Sequence, residues 1–515
     1  MSKLRVEQKS NMKNSISRMI FVGLSVLLQV LWFLLLVFRL SQYSAIISII
    51  SSVAALFITL WMFGRHINAE IKISWIVIML AFPVLGVNLY LLFGRPGASK
   101  HNKVVFDLCG RKIRAAVPKE EDVLTELEAD NRRVANLFRY LQNYAHYPVY
   151  SNTDITYYSD TNKALEAQKE ALQSAEHFIF LEYFAIEKAE AFDGILEILL
   201  QKVSQGVKVR ILYDDVGSVG FISPSFIKQM REAGIDCRVF NPMVPFLRMF
   251  MNHRDHRKIT IVDGTIGFTG GYNLANEYFN IIQPYGRWKD AGVRIEGDAV
   301  RNLTVMFLEM WNGIKADDTD YAPYFRTRQY QAKEHCYVQP YADSPLDEER
   351  VGENAYLDMI QNAKQYVYIM TPYLIISSDM NRAISLAAKR GVDVRIVIPA
   401  IPDKKIVYQV TCSYLTALAH AGVRLYKYTP GFCHSKLCVV DDRTAIVGTI
   451  NFDYRSLFHH FEDACLFYKA SAVLAVRDDF EETFPQCEEV TEQCKVKSPA
   501  LRTGQCILRF IAPLL

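Results

Sequence analysis

The chain has 515 residues, 58 Lys+Arg against 55 Asp+Glu, and 50% hydrophobic residues. That length accommodates about three domains, and a chain this apolar and this close to neutral is not a disordered polymer. A net charge of +3 supplies no bulk attraction to nucleic acid, and ten Cys in 515 residues are too sparse for a disulfide scaffold.

Three apolar runs fill the first hundred residues, at about 19–38, 45–63 and 73–93. Each reaches the ~20 residues that a helix needs to cross ~30 Å of hydrocarbon. Three in succession with little internal charge read as membrane segments rather than core helices. The first is too long for a signal peptide and lacks its small-residue cleavage site. Lys3, Arg5, Lys9, Lys13 and Arg18 precede the runs, and Arg95, Lys100, Lys103, Arg111, Lys112 and Arg114 follow them. The positive-inside rule puts both flanks in the cytoplasm. Three full crossings cannot achieve that, so either the N-terminus lies outside or one run does not cross. Residues 1–97 are therefore expected to be an anchor of two to three transmembrane helices in the cell membrane. The remainder is expected to be cytoplasmic, where its cysteines stay reduced.

Residues 98–150 are mixed and charged and read as a connector, with a helix near Asp122 to Tyr144. A pattern then occurs twice. His177–Ala185 is a β-type run, an amphipathic stretch follows over Asp193–Ser204, and a turn at Gly206 leads into a second β-type run, Val207–Tyr213. Gln365–Tyr373, Asp379–Lys389, Gly391 and Val392–Ile398 repeat the order. Gly206 and Gly391 are 185 residues apart, and Gly234 and Gly422 are 188 apart. The fold class is α/β with a largely parallel sheet, duplicated into two homologous lobes over 151–330 and 331–515 that share one site. Ala316 to Glu334 is the expected inter-lobe link. The terminal run Gln505–Leu515 either docks on a lobe or lies at the membrane surface, and docking is the favoured reading.

Each lobe carries H-x-K-x4-D: His256, Lys258 and Asp263, then His434, Lys436 and Asp441. Ten residues after each Asp stands an Asn, Asn273 and Asn451, and the 178-residue offset between copies holds throughout. On a strand, residues two apart share a face, so His and Lys project together. Two Lys and two Asn can surround one phosphate and stabilise its charge. One His can then attack phosphorus while the other protonates the leaving alkoxide. A carboxylate behind each ring would fix its tautomer. The candidates are Glu462, 28 residues after His434, and Asp290, 34 residues after His256. Asp263 and Asp441 belong to the motif as candidate catalytic residues, but their odd offset from His predicts the opposite strand face or a turn and a salt-bridge role. A metal reading of His253 with His256 is set aside, because the partner common to both copies is Lys, which does not ligate when charged. Cys433-x4-Cys438 lacks the second half of a zinc site. No metal and no cofactor are expected. His459 and His460 are expected at the surface or lining the pocket.

The duplicated motif resembles the phospholipase D superfamily. Within it the chain is similar to bacterial cardiolipin synthases, through the PVLGVNLYLLFGR string ending at Arg95, Leu181–Phe184, Gly206–Ser218, Phe268–Asn273 with Glu277 and Tyr278, Trp288–Asp290 and the final Ala512–Leu515. That resemblance implies a membrane enzyme that joins two phosphatidylglycerol molecules into cardiolipin and glycerol through a phosphohistidine. It implies His256 as nucleophile, His434 as acid, and Asp290 in the place of the first lobe's orienting acid. The alternatives are a membrane-bound phospholipase D-type hydrolase, or a transphosphatidylase using another donor or acceptor such as phosphatidylethanolamine. Two departures stand out. The first apolar run precedes the two spans common in the family, and His460 stands before Phe461-Glu462 where the family often has Asn.

Overall fold

The computed structural model describes residues 44–65, 68–94, 100–118, 123–223, 225–242, 253–325, 330–495 and 499–514, with isolated positions between 24 and 34. Apart from those positions, the first apolar run lies outside the described residues. The second is a helix, Ser44–Phe63. Its Ala45–Phe63 stretch is the one helix among the described residues that is long and apolar enough to cross a membrane.

The third run is not one straight helix. It forms Ala69–Ala81 and then, after a break at Phe82, Pro83–Leu89. Proline cannot donate within a helix and clashes with the preceding turn, so the break falls where Pro83 stands. The short helix lies back against the first: a Cβ at Gly86 would sit 2.5 Å from the Ile78 carbonyl oxygen. Thirteen residues rise about 20 Å, short of a bilayer core. This segment also touches the globular part. Ser74 Oγ donates to the carbonyl of Phe510 at 2.6 Å, and Ser378 N donates to Glu70 at 2.8 Å. The C-terminal helix Pro499–Ile511 thus sits between the anchor and the second lobe, with the Arg509 guanidinium 4.1 Å above the Tyr414 ring.

The stretch read as a connector is two helices, Lys100–Ala116 and Val123–Tyr140. They supply Ile113, Leu127 and Phe138 to a core cluster that runs through both lobes. A shared core of this kind fixes the lobes relative to each other by burial.

The first lobe contains β1 (Thr153–Tyr158), β2 (Phe178–Tyr183), β3 (Lys208–Asp214), β4 (Asp236–Phe240), β5 (Arg254–Asp255), β6 (Lys258–Val262), β7 (Ile266–Gly270), β8 (Arg287–Lys289) and β9 (Gly292–Gly297). The second contains β10 (Tyr337–Asp343), β11 (Tyr366–Met370), β12 (Asp393–Pro399), β13 (Arg424–Tyr428), β14 (Gly431–Cys433), β15 (Leu437–Val440), β16 (Thr444–Gly448), β17 (His460–Tyr468) and β18 (Cys487–Glu489). The sheet orders are β1-β9-β7-β6-β2-β3-β4 and β10-β17-β16-β15-β11-β12-β13-β18. The repeat is as the sequence indicates, and Gly206, Gly234, Gly391 and Gly422 all take positive φ at equivalent helix ends.

The sheets are mixed rather than largely parallel. β2-β3-β4 and β11-β12-β13 are parallel crossovers, whereas β6, β7 and β9 run antiparallel, as do β15, β16 and β17. The cause is local. Asp263 and Gly264 adopt positive φ after β6, and Asp441 and Asp442 do so after β15, so the motif strand turns back into a hairpin.

The lobes also exchange short strands. β5 pairs in parallel with β17, and β14 pairs in parallel with β8. These two exchanges position the site.

Candidate active site

Each motif histidine follows the strand that its lobe lends to the other. The His256 amide donates to the Phe461 carbonyl at 2.9 Å, and the His434 amide donates to the Lys289 carbonyl at 2.7 Å. The next residue along each accepting strand is an acid. Parallel pairing therefore sets His256 beside Glu462 and His434 beside Asp290. Nδ1 of His256 lies 2.9 Å from Glu462 Oε2, and Nδ1 of His434 lies 2.6 Å from Asp290 Oδ2. The pairing is crossed. Asp290 serves the second lobe's histidine and Glu462 the first's, which corrects the lobe-by-lobe pairing drawn from the sequence. The reason is the strand exchange, which chain spacing does not encode.

A residue of the G-x-x-N string stands beside each acid. In the second lobe Thr449 donates its hydroxyl to Glu462 Oε2. In the first, the matching position is Gly271, and a Cβ there would lie 2.0 Å from Asp290 Oδ1. The missing side chain leaves the space that Asp290 occupies.

Lys258 and Lys436 both donate to the backbone carbonyl of their own motif histidine. Lys436 Nζ also lies 2.8 and 3.0 Å from the two ring nitrogens of His434. Asn273 accepts from the Ala185 amide at 3.0 Å and donates to the Tyr278 hydroxyl at 2.7 Å. The Tyr278 ring in turn stands 5.4 Å from that of His434, beside Trp288 at 5.2 Å. Asn451 is buried, and its Oδ1 has no hydrogen-bond partner among the described residues.

Burial governs the charges. It pulls His256 down to about 3, against the opposing pull of Glu462, and His434 down to about 4, with Lys436 adding to the effect and Asp290 opposing it. Both rings are neutral at rest. Each gives its Nδ1 proton to a carboxylate and keeps Nε2 as a lone pair. Burial would raise both acids. For Glu462 the His256 and His460 rings outweigh it, and for Asp290 His434 and Lys436 do, so both carboxyls are held below the usual range. Burial lowers Lys258 to about 8 and Lys436 to about 7, against Glu462 and Asp290 respectively. Lys436 is further lowered by Lys258 across the lobe boundary, so the two cations share one field.

Asp263 and Asp441 are not in this cluster. Each lies at the far end of its motif strand, about 15 Å of extended chain from the lysine. Asp263 accepts from the amides of Glu176, His177 and Phe178, each at 2.8 Å. Asp441 accepts from those of Lys364, Gln365 and Tyr366 at 2.8–3.0 Å. Neither reaches the paired histidines, and neither has an ion-pair partner among the described residues. They cap the start of the neighbouring strand, because a turn residue at positive φ presents its carboxylate to exposed amides.

The sequence reading missed Thr449 and Gly271 as supports for the acids, although both stand inside the G-x-x-N string. It also left open the place of His460. That ring is within 5.6 Å of His256, whereas His459 instead accepts, through its carbonyl, from His253 Nδ1 at 2.9 Å.

Comparison with known proteins follows the same division. The family model described as cardiolipin synthase, PLD-like domain matches residues 169–311 and 356–484, one segment in each lobe. A phospholipase D-nuclease N-terminal model matches residues 46–95. An uncharacterized protein of Streptococcus mutans is 41% identical, over 88% of this chain and 99% of its own. The cardiolipin synthase of Halalkalibacterium halodurans is 32% identical, over 91% of this chain and 93% of its own. Among solved structures, the phosphatidylserine synthase of Haemophilus influenzae covers 74% of this chain and 100% of its own at 14% identity, with a TM-score of 0.55, a likeness of fold.

Proposed function

The chain belongs to the cardiolipin synthase family of phospholipase D-like phosphatidyltransferases, and on that premise we propose that it joins two phosphatidylglycerol molecules into cardiolipin with release of glycerol. The observation that carries this reading is the crossed pair of buried His–carboxylate contacts between the lobes.

In the proposed reaction the first phosphatidylglycerol binds with its phosphodiester between Lys258 and Lys436. Its negative charge restores full protonation of both lysines and supplies the field that a protonated His434 needs. His256 Nε2 attacks phosphorus, and the P–O bond to glycerol breaks. The leaving alkoxide takes the proton from His434 Nε2, which gives free glycerol and a phosphatidyl group on His256. The second phosphatidylglycerol then gives its terminal hydroxyl proton to His434. Its oxygen attacks phosphorus, the P–N bond breaks, and cardiolipin leaves with His256 restored. Glu462 and Asp290 hold the two tautomers throughout, while the lysines and Asn451 face the charge on the nonbridging oxygens. Water is the competing second nucleophile. Both histidines are at most 7% exposed, and a site this closed favours a lipid alcohol over bulk water.

The broken third apolar run suggests a topology. If the Pro83 hairpin enters the membrane and returns, runs one and two make two crossings. Both basic flanks then lie on the cytoplasmic side, as the positive-inside rule requires. The contacts of Glu70 and Ser74 with the second lobe support this, because they keep the start of that run beside the lobes.

The test uses membranes from a host lacking the activity, supplied with labelled phosphatidylglycerol without divalent metal. Cardiolipin and glycerol in equal amounts are the expected products. Phosphatidic acid without cardiolipin would make the protein a hydrolase, and turnover only with phosphatidylethanolamine would change the donor.

A further inference from the structure

His460 neither moves a proton nor touches phosphorus in the reaction above, yet its side chain is only 10% exposed and lies against the nucleophile's own pair. Neither of its ring nitrogens has a hydrogen-bond partner among the described residues, and neither does Glu462 Oε1, which it faces at 3.6 Å. Two unpaired ring nitrogens and an unpaired carboxylate oxygen in one buried place are costly unless something joins them. One nitrogen from His256, one from His460 and one oxygen from Glu462 all lie within 4.8 Å of one another.

We propose that His256, His460 and Glu462 form an inhibitory site for a divalent transition-metal ion of borderline softness, such as Zn2+. Two imidazoles and one carboxylate are a donor set that such ions accept, with a fourth position left to water. Ligand atoms on a tetrahedral ion are separated by about 3.4 Å, so closure draws the three groups inward. His460 makes most of that movement, since no hydrogen bond holds its ring. The nearby lysines oppose a cation, so the site suits an ion with strong affinity for imidazole rather than Mg2+ or Ca2+.

The consequence for catalysis follows from the shared residues. An ion bound through His256 Nε2 removes the attacking lone pair. An ion bound through Nδ1 takes the place of the proton shared with Glu462 and turns the ring. In both cases no phosphatidyl-enzyme forms. The inhibitory effect rests on His256 being the nucleophile, as proposed above, whereas ion binding does not.

The test uses the full chain purified in detergent. Titration with Co2+ is followed by its visible absorption, Zn2+ competes for the site, and phosphatidylglycerol turnover is measured in parallel. We expect one Co2+ per chain with a four-coordinate spectrum, displaced by Zn2+. Zn2+ should stop turnover and a chelator should restore it. His460→Asn and His460→Gln should retain turnover, lose the Co2+ spectrum, and need at least about tenfold more Zn2+ for inhibition than the unmodified enzyme. Unchanged Zn2+ sensitivity in both variants would overturn the proposal, as would absence of the Co2+ spectrum in the unmodified enzyme or stimulation by Zn2+. If phosphatidylglycerol is not turned over at all, the functional reading fails, while the Co2+ spectrum still decides whether the site exists.

Discussion

Glu462 Oε2 lies 2.9 Å from His256 Nδ1 across 206 residues of chain, and it reaches that ring from the opposite lobe. Asp290 repeats the relationship with His434 across 144 residues. Each lobe thus supplies a histidine to its own motif and an acid to the other's.

This crossing makes an uncommon kinetic pattern. With a good leaving group such as p-nitrophenolate on the phosphodiester, the first step needs a nucleophile but no acid. Glu462→Gln and His256→Ala should abolish the p-nitrophenol burst, whereas Asp290→Asn and His434→Ala should keep one equivalent. With phosphatidylglycerol both acid variants should lose about 10³–10⁴-fold in kcat, as an orienting carboxylate does when a histidine takes the wrong tautomer. A lobe-by-lobe pairing would reverse the roles of Glu462 and Asp290 in the burst.

The motif acids should behave as structural residues. Asp263→Ala leaves three strand amides without their acceptor, at a cost of about 2–4 kcal/mol. Asp441→Ala should cost less, because Asp441 is half-buried where Asp263 is buried. Chemical denaturation should show the loss, while kcat per folded molecule stays unchanged.

Lys436 and Lys258, lowered to about 7 and 8, set the alkaline limb. A lysine is charged below its pKa, so phosphate affinity falls as pH rises through these values in the free enzyme. The pH profile of kcat/KM should begin to decline above about 7 and steepen above about 8, well below the ordinary lysine range. Bound phosphodiester raises both pKa values, so the decline in kcat should come later. Identical alkaline limbs in the two profiles would contradict this account.

Gly271→Ala should act at a distance from the substrate. The added methyl would meet Asp290 Oδ1 at 2.0 Å and force that carboxylate off His434. A displacement of this kind costs on the order of 10²-fold. The loss should appear in kcat with phosphatidylglycerol and be absent from the p-nitrophenol burst, which does not need His434.

Orientation can be read from a native thiol. All ten cysteines are free, and Cys506 is the exposed one. A membrane-impermeant maleimide should label it readily in inverted vesicles and not in right-side-out cells. Labelling from the outside would reverse the proposed topology.

Much of this was legible in the sequence because a duplication checks itself. The motif residues, the matched glycines and the flanking strands each occur twice at nearly the same offset, and local period alone finds β2, β3, β11 and β12. What failed to show was what depends on the partner lobe. Glu462 and Asp290 could be found as acids downstream of a histidine, but their assignment rests on β5 with β17 and on β14 with β8. Those exchanges are two or three residues long and leave no periodic trace. The antiparallel turn at Asp263 was hidden for a different reason. An Asp at positive φ is fixed by the amides it caps, and they lie more than 80 residues earlier. Pro83, by contrast, was visible in the third apolar run, and hydropathy alone outweighed it.

The strand exchange also separates two kinds of connectivity. Along the covalent chain the protein is two consecutive halves, but through its reactive groups it is two interlocked circuits, each closed only by the other half. Cutting the peptide bond between the lobes would break neither circuit, whereas removing either lobe would break both. Each half expressed alone should be inert, and the two expressed together should regain activity by complementation, as the subunits of an obligate heterodimer do.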